Sequence, residues 1–288
     1  MLSDRNGAPF PPVRRLGLED LRSCVALSLD RGWSPEKAKW SLLLEVSEVF
    51  GVDAPDGGLA GAVVLTRYGA DLASVGMMLV AARHGRRGLG RALMEHLLAA
   101  AGDATVTLFA TDLGKPLYEK LGFRTIRRSA AFTGRFRAGQ PTDNSKKRTR
   151  PAADTDMAAI LDVDKAAFGA DRSRLLRRLP AFARQLRVLE TDNGVAGFAA
   201  AWHNVTSTVI GPVVAPDGAA ARLLIADLAA GISGPVRLDL DPDRPELPDW
   251  AVSHGLQPVA LTTVMVHGDP SLPGEPARLF TPISVALA

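Results

Sequence analysis

Along the first half of the chain the spacing of apolar residues switches between two periods. Val13 to Leu16 reads as a short strand. From Leu18 to Asp30, Leu18, Leu21, Val25 and Leu29 recur at helical spacing, which predicts a helix burying those four, and Gly32 ends it. Ser34 is placed to cap a second helix, with Pro35 at its first position and Lys37 to Leu44 following. Glu45 to Val52 alternates apolar and polar positions. Asp53 to Gly58 has hairpin chemistry, and Leu59 to Arg67 returns as a strand. Then come a strand (Leu72 to Val80), a helix (Arg91 to Ala101), a strand (Thr105 to Ala110), a helix (Gly114 to Leu121) and a strand (Phe123 to Phe132). The predicted order is βααβββαβαβ.

The second half repeats this plan in weaker form. Asp154 to Phe168 and Ser173 to Leu179 read as helical. Arg187 to Glu190, Val195 to Trp202 and Thr208 to Val214 read as strands around a turn at Asp192-Asn193-Gly194. A helix (Ala219 to Ala230), a strand (Val236 to Leu240), a helix (Leu247 to His254) and a strand (Leu261 to Val266) follow. Gly255-Leu256 stands where the first half has Gly122-Phe123, which points to an internal duplication. Residues 139–150, poor in large apolar side chains and ending in the basic run Lys146 to Arg150, read as a solvated linker. The expected domains are therefore 1–138 and 151–288.

With 288 residues, 47% of them hydrophobic, the chain is long enough for two cores. A lone cysteine, Cys24, excludes a disulfide framework, and the five scattered histidines have no metal-ligand spacing, so no metal is expected. Met1 to Pro12 does not resemble a signal peptide, and no apolar run reaches the ~18 residues that span a bilayer, so a soluble, cytoplasmic protein is expected. The net charge of +3 hides an asymmetry. Residues 1–150 hold 23 Lys/Arg against 15 Asp/Glu, a net +8, and the remainder is net −5. Aromatic residues make up only 6% and do not interleave with the basic ones, which argues against nucleic-acid binding.

The densest chemistry lies in Val80-Ala81-Ala82-Arg83-His84-Gly85-Arg86-Arg87-Gly88-Leu89-Gly90-Arg91. A strand end, a Gly/Arg-rich turn and a helix start in that order aim backbone N–H groups and a helix dipole at one point, which suits a phosphate. The nucleotide P-loop is excluded because Arg91-Ala92 follows Gly90 where Lys and Ser/Thr belong. The dinucleotide fingerprint fails because Leu93 replaces its third glycine and Leu108 its acidic residue.

The run resembles the acyl-CoA signature of the GNAT superfamily of N-acetyltransferases: Gln or Arg, two residues, Gly, one residue, then Gly or Ala. Gly88-Leu89-Gly90 fits, and Gly85 departs at the first position. Leu117-Tyr118-Glu119-Lys120-Leu121-Gly122-Phe123 resembles the superfamily's next segment and lies in the expected order. Ala167 to Arg172 and Ile210 to Val214 resemble the second domain of a bacterial tandem-GNAT family. In that half Asp217 and a single Gly218 replace the arginine-rich loop, and Val252 or His254 occupies the region of Tyr118, so the copy reads as a degenerate GNAT domain. The implied fold is α/β of the α+β GNAT kind: two tandem domains, each with a mixed, largely antiparallel sheet flanked by helices.

The resemblance implies acetyl-CoA as co-substrate. Gly85, Arg86, Arg87, Gly88, Leu89, Gly90 and Arg91 would hold its pyrophosphate. The backbone of Met78, Leu79 and Val80 would bond the pantetheine arm and the thioester oxygen. Tyr118 would protonate the departing sulfur. The acceptor would be an amine of a small molecule, peptide or protein. Glu45 and Glu48 could face the cleft, but no residue is assigned as base, and His84 reads as a loop residue. The acidic half, with Asp239 and Asp241, could attract a cationic amine. A non-catalytic acyl-CoA-binding scaffold, a tandem acyltransferase of thiol or metabolite biosynthesis, and a homodimer all stay open.

Overall fold

A computed structural model describes residues 10–139 and 148–287. In chain order its strands and helices begin with β1 (Arg14–Arg15), α1 (Leu21–Asp30), α2 (Lys37–Val46), β2 (Glu48–Asp53), β3 (Leu59–Tyr68) and β4 (Leu72–Val80). Next come α3 (Leu89–Ala101), β5 (Thr105–Ala110), α4 (Lys115–Lys120), β6 (Arg124–Gly134), β7 (Arg148–Pro151) and α5 (Met157–Phe168). Then follow α6 (Ser173–Leu176), α7 (Leu179–Phe182), β8 (Gln185–Thr191), β9 (Gly194–His203), β10 (Thr208–Val214) and α8 (Gly218–Ala229). The last are β11 (Val236–Leu240), α9 (Glu246–Ser253), β12 (Gln257–His267) and β13 (Leu279–Thr281).

The chain forms two compact units whose ends do not coincide with its sequence halves. The first contains residues up to Arg124 together with Met265–Pro270, and the second contains Thr125–Val264 and Ser271–Ala286. The expected boundary at residue 138 therefore shifts. Nearly all of β6 belongs to the second unit, where it pairs antiparallel with β11 (Leu238 opposite Phe132). The end of β12 belongs to the first unit. There Met265 is fully buried in the core formed by Val63, Leu65, Leu93, Leu97 and Leu108.

In the first unit β1 to β4 run antiparallel in sequence order, and β5 joins β4 in parallel. Helix α3 packs its apolar stripe of Leu89, Leu93, Met94 and Leu97 on this sheet. Arg67 fixes its far end: Nη1 donates to the Ala101 carbonyl at 3.3 Å and Nη2 to that of Ala100, placing a cation at the negative pole of the helix. In the second unit α8 covers an equivalent core of Ala199, Ala201, Ile210 and Leu238.

An ion-pair cluster marks the duplication at equivalent places. Arg14 bonds Asp20 (2.7 Å) and Asp53 (2.7 Å), while Asp20 accepts the Gly17 N–H. In the second unit Arg150 bonds Asp156 (2.6 Å) and Glu190 (3.3 Å), while Asp156 accepts the Ala153 N–H. The Arg150 guanidinium and that N–H hold the Asp156 carboxyl down at about 2.

Several local expectations shift. Leu18 and Leu29 are exposed (53% and 55%), and α1 buries Cys24, Leu27 and Ser28 instead. Polar Ser28 belongs to that face because its hydroxyl accepts the Trp40 Nε1–H at 2.8 Å, which an apolar-stripe argument cannot foresee. Helix α2 starts after Glu36 with no side-chain cap, so Ser34 is not its cap, and Glu45 belongs to this helix rather than to a strand. Of the linker, residues 140–147 lie outside the described residues. Its last residues, Arg148 to Arg150, begin β7, which pairs with β8.

Candidate functional site

Strand β4 carries the first piece of the site. Ala62 pairs Leu79 and Val64 pairs Gly76, so Met77 and Met78 together oppose Val63. This is a β-bulge, and Met77 takes a left-handed φ of 47° to make it. On its other edge β4 pairs β5 only from Leu72 to Val75. The two strands therefore part before the bulge is reached. Among the described residues, Met78, Leu79 and Val80 have no backbone partner on the β5 side. The Leu79 side chain is buried, so its backbone alone is offered.

The parted strands lead to the loop. Ala82–His84 form a short 3-10 turn, Arg86 adopts φ 61°, and Gly88 adopts φ 81° just before α3. No side chain caps α3, so the N–H groups of Leu89, Gly90 and Arg91 point out of the helix end unserved by a cap. The glycines act differently. Gly88 supplies the left-handed turn. A Cβ on Gly90 would lie 3.1 Å from Met78 Cε and 3.4 Å from Leu117 Cδ2, so this glycine lets α3 sit close to β4 and α4. Leu89 is 2% exposed, hence any part it plays toward a ligand is through its N–H. Gly85 and Arg86 are exposed, Arg87 is half-buried, and Arg91 is exposed with its Nε on Glu95 at 2.7 Å.

Tyr118 sits on α4 next to Leu117, with its ring edge-on to Phe123 (centroids 5.9 Å apart). It is 8% exposed, and burial pushes the phenol up to about 12. The hydroxyl therefore stays a proton donor throughout the neutral and mildly alkaline range. A side chain at Gly114 would meet the ring at 3.0 Å, so that glycine makes room for it.

The other candidates are placed elsewhere or engaged. Glu48 is held by Arg15 (2.9 Å) and Arg67 (2.7 Å). His84 is buried edge-on to Phe10, its ring nitrogens unbonded and Nε2 3.6 Å from Asp56. Asp56 itself is bound by Arg83 at 2.9 Å. Asp239 is 5% exposed and accepts from Arg237 Nε (3.1 Å) and Nη2 (2.7 Å). Asp241 accepts the Asp243 N–H at 2.9 Å. Neither aspartate is a free surface carboxylate.

The second unit has counterparts to each piece. Phe123 N donates to the Tyr118 carbonyl, and Leu256 N donates to that of Ala251. The position of Tyr118 is thus taken by buried Ala251, and not by Val252 or His254 as the sequence had led one to expect. Asp217 caps α8, its carboxylate accepting the Ala220 N–H at 2.8 Å.

A bulged, parted strand pair ending at an uncapped helix is the arrangement of a GNAT-type acyltransferase. Two family models, each described as an acetyltransferase (GNAT) domain, match residues 47–125 and 160–281. The chain belongs to the GNAT acetyltransferases and carries two such domains in tandem. It is 27% identical over 277 residues to the uncharacterized N-acetyltransferase YitH of Bacillus subtilis (strain 168), covering 95% of this chain and 97% of that one. A crystal structure from Pyrococcus horikoshii, assigned to the acetyltransferases, matches with TM-score 0.80 at 20% identity over 96% of this chain and 95% of its own. A tandem GNAT protein from the clavulanic acid biosynthesis pathway matches with TM-score 0.60 at 16% identity over 90% of this chain and 99% of its own. At these identities the solved structures speak for the fold. Among the described residues no helix is long and apolar enough to cross a membrane, and no group of side chains could hold a metal ion.

Proposed function

We propose that the first unit transfers an acetyl group from acetyl-CoA directly to a primary amine, and that the second unit is degenerate and binds no acyl-CoA. The parting of β4 from β5 at the foot of an uncapped α3 carries this reading. An extended arm with amide groups fits the free edge of Met78 to Val80, and a pyrophosphate fits the helix N-terminus with Arg86 and Arg87 beside it. The amine lone pair attacks the thioester carbon. The C–N bond forms, negative charge gathers on the carbonyl oxygen under the strand's N–H groups, and the C–S bond breaks. The thiolate takes the Tyr118 proton, the amine gives its own to water, and water returns a proton to the Tyr118 phenolate before the next turnover.

The test is thiol release from acetyl-CoA with a panel of small amines, amino acids and lysine peptides, next to calorimetry with acetyl-CoA. One site per chain is expected, together with turnover on at least one amine class. Tight binding with no turnover across the panel would convert the reading to a non-catalytic acyl-CoA-binding protein. Two equivalent sites would contradict it.

A further inference from the structure

The bulge of β4 has a counterpart in β10. Ile210 pairs Ala201 and Val213 pairs Ala199, so Gly211 and Pro212 together oppose Ala200. Aligned on the bulges, Val213 and Val214 correspond to Leu79 and Val80. Strand β9 holds one edge of β10, and β11 holds the other edge only at Thr208 and Val209. Beyond that point β10 and β11 part, as β4 and β5 do. Here the gap is filled: β13 pairs antiparallel with β10 on that same edge, Val213 opposite Thr281 and Val214 opposite Leu279.

We propose that the C-terminal stretch from Leu279 to Ala286 is a built-in ligand of the second unit, lying where an extended arm lies in a working unit and fixing the chain at one acyl-CoA site. The likeness to an acyl-CoA arm rests on the reading of the first unit given above. The seat holds the segment through its backbone carbonyls and one side-chain hydroxyl. The Thr281 hydroxyl donates to the Ile210 carbonyl at 3.1 Å, Trp202 Nε1 donates to the Ile283 carbonyl at 3.0 Å, and Ala215 N donates to the Arg278 carbonyl at 3.1 Å. Ile283 is fully buried, and Thr281 and Ser284 are nearly so. The Pro282 carbonyl lies 2.0 Å from where a Cβ on Gly211 would stand, so the segment reaches the bulge only because residue 211 is a glycine. A peptide strand and a pantetheine arm share the needed chemistry, namely amide donors and acceptors spaced along an extended chain. Two further changes agree. Asp217 sets a carboxylate at the helix end where a pyrophosphate would need the N–H groups, and Pro212 has no N–H to offer at the bulge.

The test uses the full chain with a specific protease site inserted after Ser271, in the exposed stretch before β13. After cleavage the C-terminal fragment should stay with the protein through gel filtration. It should exchange saturably for a fluorescent peptide spanning Leu279 to Ala288, and Trp202 emission should change as the seat empties. Gly211→Ala should weaken peptide binding at least tenfold. Thr281→Val in the peptide, which removes only the bond to Ile210, should weaken it severalfold. Unlabelled pantetheine should displace the peptide, and CoA should do so less well because of Asp217. The proposal is overturned if the fragment leaves a still-folded protein that then fails to bind the peptide. It is also overturned if Gly211→Ala folds and binds the peptide as well as the parent, or if pantetheine in large excess displaces none. Were the intact chain to bind no acyl-CoA, the reading of the first unit would fall while the peptide results stood.

Discussion

In the first unit β4 and β5 pair only as far as Val75, and among the described residues the β5-facing backbone edge of Met78 to Val80 has no partner and no side chain caps α3. In the second unit β10 and β11 part after Val209, and the chain serves both places itself. Thr281 and Leu279 take the strand edge, and the Asp217 carboxylate takes the helix end. The same fold thus occurs once with its polar backbone groups held open and once with them satisfied internally. The difference shows what an open site costs. A helix N-terminus without a cap forgoes about 1 kcal/mol of stability, and unpaired strand groups must be left to water. On the proposal above, a second unit that binds no acyl-CoA is relieved of that cost. Asp217 with β13 is what such relief looks like in residues.

The largest expected effect comes from cutting the chain where its sequence halves meet. A chain ending at residue 139 lacks Met265, which is fully buried in the first unit's core, and His267, which packs on Phe123 at 5.3 Å between ring centroids. Loss of a buried methionine side chain alone costs about 2–5 kcal/mol, against a total stability of about 5–15 kcal/mol for a domain. The truncated chain is expected to show no cooperative thermal transition. A melting curve like that of the full chain would mean that the strand end from the second half is dispensable.

Next in size is Tyr118→Phe. Removal of a proton donor lowers turnover by about 10²–10⁴, with little change in acyl-CoA affinity and with the ring kept in its seat. Ala251→Tyr in the second unit should add nothing. Because burial holds the Tyr118 phenol at about 12, the rate should rise with pH as the amine acceptor deprotonates and show no fall due to Tyr118 below pH ~10. The same raised value has a stability consequence. Its contribution is complete below the unfolded phenol value near 10 and is lost as pH rises through about 12, so the Phe variant should lose less stability over that interval. A Phe variant with parent turnover, chemistry being rate-limiting, would reduce Tyr118 to packing.

Gly88→Glu probes the helix end. It puts a side chain at φ 81° and a carboxylate where an anion would sit. Acyl-CoA affinity should drop by at least about 100-fold, which is ~2.7 kcal/mol. Calorimetry checks it, and unchanged affinity would remove the loop from the site.

The order of elements was legible in the sequence because it follows from periodicity. The Gly/Arg loop and the Leu117 to Phe123 segment carry their resemblance to the family in residue type and spacing, and from that the family could be read. What escaped depends on partners far along the chain. Arg150 looked like part of a solvated run, yet it is tied to Asp156 and Glu190 as Arg14 is to Asp20 and Asp53. The shared spacing from Arg14 to Asp20 and from Arg150 to Asp156 was a readable sign of the duplication. Strand β13 is three residues long between prolines, too short to show a period, and only its pairing with β10 defines it. The exchange of β6 and the end of β12 between units leaves no local trace, because a strand's sequence records that it is buried and not beside which neighbour.

The smallest expected effect tests the helix end of the second unit. Asp217→Ala removes the acceptor of the Ala220 N–H and leaves the N-terminus of α8 as bare as that of α3. The expected loss is about 1 kcal/mol, within the ~0.5–2 kcal/mol usual for a capping side chain, read as a lower urea midpoint with unchanged slope. Acyl-CoA affinity and stoichiometry should not change, because β13 still pairs with β10 and Ala251 and Pro212 still lack the groups proposed for the first unit. If removing this carboxylate alone produced a second acyl-CoA site, the cap and not the C-terminal strand would be what keeps the second unit closed.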